Sequence, residues 1–254
     1  MDDTQAIIKT YGDSIRSIHQ SNRGVSVARN VGTSASHGDF IAYLDADDWW
    51  LPRRIEEMIR AVAGRRDTFI ATDWWTEREG VRSLEPHFGS RSHPYFSLDA
   101  PGQFQRFLQQ CWLGGSIIMV PRRVFDEGIW FDDRLRKGED WDFFLRCCAH
   151  GFRIDLVPEP LIIVRWMRSG SLTSSRSLAH SRDTLRILHK HRRLVARARR
   201  VQALGSIQYH RMRAALAAGD LRGAIDKALR LARNWPYIRG VVMPELARRI
   251  WRPG

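Results

Sequence analysis

The chain has 254 residues, 43% of them apolar and 27% charged, with three cysteines and a formal net charge of +13. That is enough for one large α/β domain, or a domain with a helical appendage, and it excludes wholesale disorder. No apolar run approaches the roughly 18 residues of a membrane-spanning helix, and the opening MDDTQAIIKT lacks the basic-then-apolar layout of a secretory signal. Cys111, Cys147 and Cys148 are too few and too unevenly spaced for a disulfide framework or a zinc site. Cys147 and Cys148, adjacent in an apolar, helical-looking segment, read as core thiols in a reducing compartment.

The first part of the chain alternates strand-like and helix-like segments. Ile15–His19 reads as a strand, and Val25–Ser36 as a helix with Val25, Ala28 and Val31 at helical spacing. Phe40–Leu44 is an apolar run that suits a buried parallel strand. Pro52 opens a predicted helix through Ala63, with Ile55, Met58, Ile59 and Val62 on one face. Thr68–Thr72 and Ile117–Val120 are strand-like, and Asp140–His150 is helical with Gly151 as its stop. Ile154–Val157 and Leu161–Val164 follow as strands, parted by Pro158 and Pro160. The alternation argues for a doubly wound, mostly parallel sheet with helices on both faces.

Beyond about Arg176 the pattern is helical only, with segments Ala179–Leu204, Ser206–Ala218, Leu221–Asn234 and Met243–Trp251, and Asp220 as an N-cap. We expect two regions, 1–175 and 176–254. Residues 1–179 carry 23 Lys and Arg against 24 Asp and Glu, whereas residues 180–254 carry 18 against 4. The positive excess is therefore entirely C-terminal. It suits an anionic membrane surface better than nucleic acid, since no helix-turn-helix, RNP or zinc signature accompanies it, and the plainest reading is of cationic helices that simply pack and solvate.

Two acidic motifs carry the chemistry. IAYLDADDWW puts Asp45 and Asp47 two apart at the carboxyl end of a buried strand, where ligands of open α/β sheets bind. If the strand continued, its period of two would place both carboxylates on one side, able to hold Mg²⁺ or Mn²⁺ beside a diphosphate. The plainer alternative is a solvated acidic turn with Asp48 as a helix cap. In RKGEDWDFFLR, Glu139 and Asp140 open a helix whose dipole favours an ionised carboxylate, fit either to cap the helix or to accept a proton. Asp142 lies about 200° around that helix from Asp140 and should face elsewhere. Trp141, Phe143 and Phe144 would wall the site or belong to the core.

QSNRGVSVARNVGTSASHGDFIAYLDADDWWLPRRIE closely resembles the central block of family-2 glycosyltransferases, and FDDRLRKGEDWDFFLRCCAHGFRI resembles their acceptor-side block. The resemblance covers about residues 1–175. It implies a GT-A-type, Rossmann-like sheet that binds a nucleotide-sugar, and transfer with inversion to a hydroxyl of a cell-surface glycan or lipid-linked acceptor. By the same resemblance Asp45 and Asp47 match the D-x-D that holds Mn²⁺ or Mg²⁺ and the diphosphate, and Arg29 lies beside the nucleotide. Asp140 matches the catalytic base with Glu139 beside it, and Arg168 stands where the family often has a histidine, able to grip diphosphate but not to ligate a metal. A cytoplasmic enzyme, peripheral at the inner membrane face through its basic C-terminal helices, is the corresponding expectation, with no nucleic-acid partner. Met1-Asp2-Asp3-Thr4 matches the residues just after the family's D-D-G-S, so an upstream βα unit of roughly 30 residues is expected to be missing. The alternative is an inactive truncated transferase fragment with a binding role or none.

Overall fold

Phe69 and Ile70 are neighbours in sequence and both fully buried, which requires packed layers on both faces of their strand. In the computed structural model, which describes residues 3–89, 94–109, 111, 113–165, 178–191, 212 and 220–233, a six-stranded sheet supplies that arrangement. Its strands are β1 (Phe40–Ala42), β2 (Trp49–Trp50), β3 (Thr68–Arg78), β4 (Val81–Arg82), β5 (Ile118–Pro121) and β6 (Arg153–Arg165). They lie in the order β1-β5-β3-β6-β2, with β4 hairpinned onto β3. The helices are α1 (Thr4–Thr10), α2 (Val25–Ala35), α3 (Arg54–Val62), α4 (Ala100–Gln109), α5 (Arg123–Asp126), α6 (Glu139–Ala149), α7 (Leu178–Lys190) and α8 (Leu221–Arg233).

Period-two alternation sorts the core into two layers. Phe69, Ala71, Ile118, Val120, Ile154 and Ile162 join Phe104 and Phe107 of α4 and Phe143 and Phe144 of α6. Ile70, Met119, Val157 and Leu161 pack with Met58 and Val62 of α3. Helices on both faces of an α/β sheet are thus as expected, but the sheet is mixed. Among the described strands only the β3–β6 ladder is parallel. After β3 the chain reverses through β4, runs through α4, and returns to the end of the sheet where β3 finished, so β5 enters antiparallel. Such a reversal leaves no trace in hydropathy, because a buried strand reads alike in either direction.

Several local elements differ from expectation. The two strands around Pro158 and Pro160 are one strand, β6, whose pairing with β3 slips from Thr72↔Val157 to Asp73↔Pro160 to Trp74↔Ile162. The prolines, which cannot donate to a ladder, sit at that irregularity. Ile15–His19 forms no strand, and Ile15 and Ile18 are exposed. α2 buries Ser26, Val27, Arg29 and Thr33 rather than a face through Ala28, and α3 buries Arg54, Glu57, Met58 and Val62 while Ile55 and Ile59 face outward. In both helices a buried arginine, held by polar partners, sets the rotation. α6 ends as expected: Gly151 has φ +89°, its N–H bonds Cys148 O, and Phe152 N–H bonds Cys147 O, which is a Schellman closure.

The expected division at 175/176 falls among residues outside those described, as do Met243–Trp251 and, Met212 apart, Ser206–Ala218. α7 packs onto the first region, with Ile187 and Leu188 in the larger core cluster. Asp220 caps α8, its Oδ1 accepting the Gly223 N–H at 2.8 Å.

Candidate active site

β1 ends at Ala42, earlier than the apolar run suggested, so Asp45 and Asp47 are presented by a turn and not by strand alternation. The Asp48 N–H closes that turn onto Asp45 O at 3.1 Å. Ser116, just ahead of β5, accepts the Asp45 N–H on its Oγ at 2.9 Å. Arg54 lies beneath, its guanidinium bonded to Thr72 Oγ1 at 2.6 Å and to Ser116 O at 2.9 Å and stacked on Trp50. Burial lowers its pKa to about 10, with Asp48 opposing. Asp48 accepts the Arg165 N–H at 3.0 Å and does not cap α3, whose N-cap is Arg53. Asp47 is exposed at the tip of the turn.

Glu139 and Asp140 open α6, whose N-cap is Gly138 at φ +74°, so neither carboxylate caps the helix. Both turn toward Arg29 of α2. Arg29 Nη1 donates to Asp140 at 2.5 Å and to Glu139 at 3.2 Å, and Nη2 donates to Asp45 at 3.2 Å. One buried guanidinium therefore joins the two motifs, which are 94 residues apart counting from Asp45 to Glu139. Gly115 makes room for it, because a Cβ there would lie 2.6 Å from Nη2. Tyr43 and Phe131 flank the guanidinium at 5.9 and 5.3 Å. Asn30 fixes Phe131 through both backbone groups, Nδ2 to Phe131 O at 2.9 Å and Phe131 N–H to Oδ1 at 3.1 Å.

The electrostatics follow from this crowding. Burial works against the charge on Arg29, but Asp140, Asp45 and Glu139 outweigh it and hold its pKa above the ordinary value. Burial, then the neighbouring Asp140, pushes Glu139 up to about 7. Burial also raises Asp140, with Arg29 in opposition. The helix dipole was expected to keep Asp140 readily ionised, yet desolvation is the stronger effect at this helix start. Asp142 faces the other way and is pulled below its ordinary value: burial opposes, while the nearby His191, the charge of Arg146 and the hydrogen bond from Lys190 prevail.

The structure thus brings Arg29, Asp45, Glu139 and Asp140 together and leaves Asp47 on the adjoining turn; Arg168 lies outside the described residues. Phe143 and Phe144 are core, and the Trp141 indole donates to Phe107 O. Sequence reading missed Ser116 and Gly115; the Gly114-Gly115-Ser116 run before a strand was their only signal, while Asn30 stood unremarked beside Arg29. Among the described residues no cluster of three His, Cys, Asp or Glu is arranged to hold a metal. Asp45 and Asp47 are carboxylates on an open turn, the donor type by which Mg²⁺ or Mn²⁺ is commonly held alongside substrate phosphates and water.

The sequence profile of the family "Glycosyl transferase family 2" matches residues 1–128, and the chain belongs to that family. Uncharacterized glycosyltransferase MJ1057 of Methanocaldococcus jannaschii is 24% identical over 63% of this chain and 55% of its own length. Uncharacterized glycosyltransferase YwdF of Bacillus subtilis is 30% identical over 68% of this chain and 62% of its own. The chain thus spans between half and two thirds of these relatives. TarS 1–349 of S. aureus, solved with UDP-GlcNAc, superposes with TM-score 0.54 at 14% identity over 88% of this chain and 77% of its own, a likeness of fold.

Proposed function

We propose that this chain transfers a sugar from a nucleotide-diphosphosugar to an acceptor hydroxyl, inverting the anomeric carbon. The observation that carries this reading is Arg29, a single guanidinium in contact with both Asp45 of the D-x-D turn and the Glu139–Asp140 pair. The group that would meet the diphosphate end of a donor and the group that would deprotonate an acceptor therefore lie within one charged cluster.

Asp45 and Asp47 would hold Mn²⁺ or Mg²⁺, and the ion, when bound, would neutralise the charge that grows on the departing nucleoside diphosphate. Asp140 takes the proton of the acceptor hydroxyl while that oxygen bonds to the anomeric carbon and the sugar–diphosphate bond breaks on the opposite face. Its contact with Arg29 favours the ionised form against burial, and Glu139 lies beside it at the longer distance from the same guanidinium. Arg168 is proposed as a second cation toward the diphosphate.

The acceptor we propose is a hydroxyl of a cell-surface glycan or a lipid-linked precursor. Support comes from the succinoglycan biosynthesis protein ExoU of Rhizobium meliloti, 23% identical over 61% of this chain. The basic region 176–254 supports a peripheral site of action at the cytoplasmic membrane face; no helix of the described residues is long and apolar enough to cross a membrane. Asp140→Asn tests the proposal, since it keeps the size of the side chain and removes its basicity. With a panel of nucleotide sugars, Mn²⁺ and acceptor glycans, turnover should fall about 10²–10⁴-fold, with donor affinity by calorimetry unchanged. Equal turnover in parent and variant would reject Asp140 as the base.

A further inference from the structure

The first turn of α6 has two sides, and the structure grips both. Glu139 and Asp140 point to Arg29. On the far side Asp142, fully buried, accepts Arg146 Nε at 2.8 Å and Lys190 Nζ of α7 at 2.9 Å, and His191 Nε2 stands 3.6 Å from its other oxygen. Lys190 also reaches Asp132, at 3.0 Å, where the loop leading to α6 begins. At the end of that loop Asp183 of α7, itself buried, takes two successive backbone N–H groups on one oxygen, those of Arg136 and Lys137, each at 3.1 Å. Its second oxygen accepts Arg186 at 2.8 Å. The next residue, Gly138, approaches α7 so closely that a Cβ would lie 3.1 Å from Ile187 Cδ1.

From this arrangement we infer that α7 is a clamp for the acidic turn, and that Asp183 is a positioning residue for Asp140. A buried carboxylate that receives charge-assisted and backbone hydrogen bonds fixes direction as well as distance. The backbone it fixes, Arg136–Lys137, lies two residues ahead of the Glu139–Asp140 pair. A general base works only within a narrow geometric tolerance, and a displacement of about 1 Å can cost on the order of 10²-fold in rate. Arg29 alone cannot supply that tolerance, because it must also answer to Asp45. α7 supplies the second, fixed boundary, and it comes from chain beyond the family match at residues 1–128. Asp183 touches no reacting group in this scheme and acts through the turn.

The inference rests on the proposed function, and its test separates the two. In the full chain, Asp183→Ala should raise hydrogen exchange at the Arg136 and Lys137 amides at least tenfold while the amides of β3 stay protected. Turnover should fall 10- to 100-fold with the donor KM within twofold of the parent. Asp183→Asn, which retains an acceptor oxygen, should recover most of both. Unchanged exchange at the two amides, or a loss of turnover matching the fraction of unfolded protein, overturns the clamp. If the parent releases no nucleoside diphosphate from any nucleotide sugar, it is the proposed function that fails. The amide exchange then decides the clamp by itself.

Discussion

The two acidic motifs are built in opposite ways. Asp45 and Asp47 sit on an open turn beyond a three-residue strand, with the Asp45 side chain 44% exposed and Asp47 at the tip. Glu139 and Asp140 stand at the start of an 11-residue helix, their side chains 12% and 20% exposed, with α2 on one side and α7 on the other. The contrast matches the work proposed for each. Carboxylates that must gather a hydrated cation and a diphosphate need access and spare coordination, whereas a carboxylate that must meet one proton needs a fixed direction. Arg29 answers to both, bonded to Asp45 on one side and to Glu139 and Asp140 on the other.

Removing Arg29 should therefore break the comparison most completely. Arg29→Met leaves three carboxylates facing one another around a buried space, and taking away one partner of a buried ion pair costs about 3–5 kcal/mol. Urea unfolding should register a loss of that size, and both donor binding and turnover should fall. Arg29→Lys should rescue little, because a single ammonium cannot reproduce the two-nitrogen fork that reaches Asp45 on one side and Asp140 on the other. Parent-like stability and donor binding in Arg29→Lys would show that the guanidinium fork is not what joins the motifs.

The next largest effect should sharpen the contrast by touching the open half alone. Asp47→Asn should abolish the Mn²⁺-dependent part of nucleoside diphosphate binding, read by calorimetry with and without chelator. Its unfolding free energy should move by no more than about 0.5 kcal/mol, as expected for an exposed side chain. Asp45→Asn should lose the same binding and also some stability, since it loosens Arg29. Identical metal-dependent binding in parent and Asp47→Asn would remove Asp47 from the cation site.

How much of this was legible in sequence follows the same divide. The motifs, their order and the α/β class could be read because each lies within a few consecutive residues and owes its character to local pattern. That all belong to one site came from the resemblance, but the direct contacts of Arg29 with Asp45 and Asp140 could not be read, because they depend on how far α2 is rotated. The apolar positions Val25, Ala28 and Val31 favoured a different face, and burial of Arg29 overrode them. Period two likewise misplaced Asp45 and Asp47, since a three-residue strand followed by a turn has the same composition as a longer strand. Asp183 was invisible for a simpler reason. It sits in a basic helical segment that reads as a solvated appendage, and only its contacts with Arg136 and Lys137 reveal a role.

The smallest expected effect concerns Glu139 and carries a sign that tests the closed half. Burial lifts its pKa from an ordinary 4.5 to about 7, so the folded state holds a proton that the unfolded chain has already released. A group shifted this way supports folding fully below about pH 4.5 and withdraws that support as pH rises through about 7. Glutamine mimics the protonated form and removes the titration. Glu139→Gln should thus match the parent in stability at pH 4.5 and exceed it at pH 8, by on the order of 1–3 kcal/mol given about 1.4 kcal/mol per pKa unit. The gain should stay below the full shift, because Arg29 loses one of its three anionic partners in the variant. Denaturation series at pH 4.5, 6, 7 and 8 would trace the difference. A gap that opens between pH 5 and 7 places the desolvated, proton-holding carboxylate at Glu139. Equal slopes in the two proteins would mean that its pairing with Arg29 offsets burial, and that the closed half is held by that ion pair at every pH.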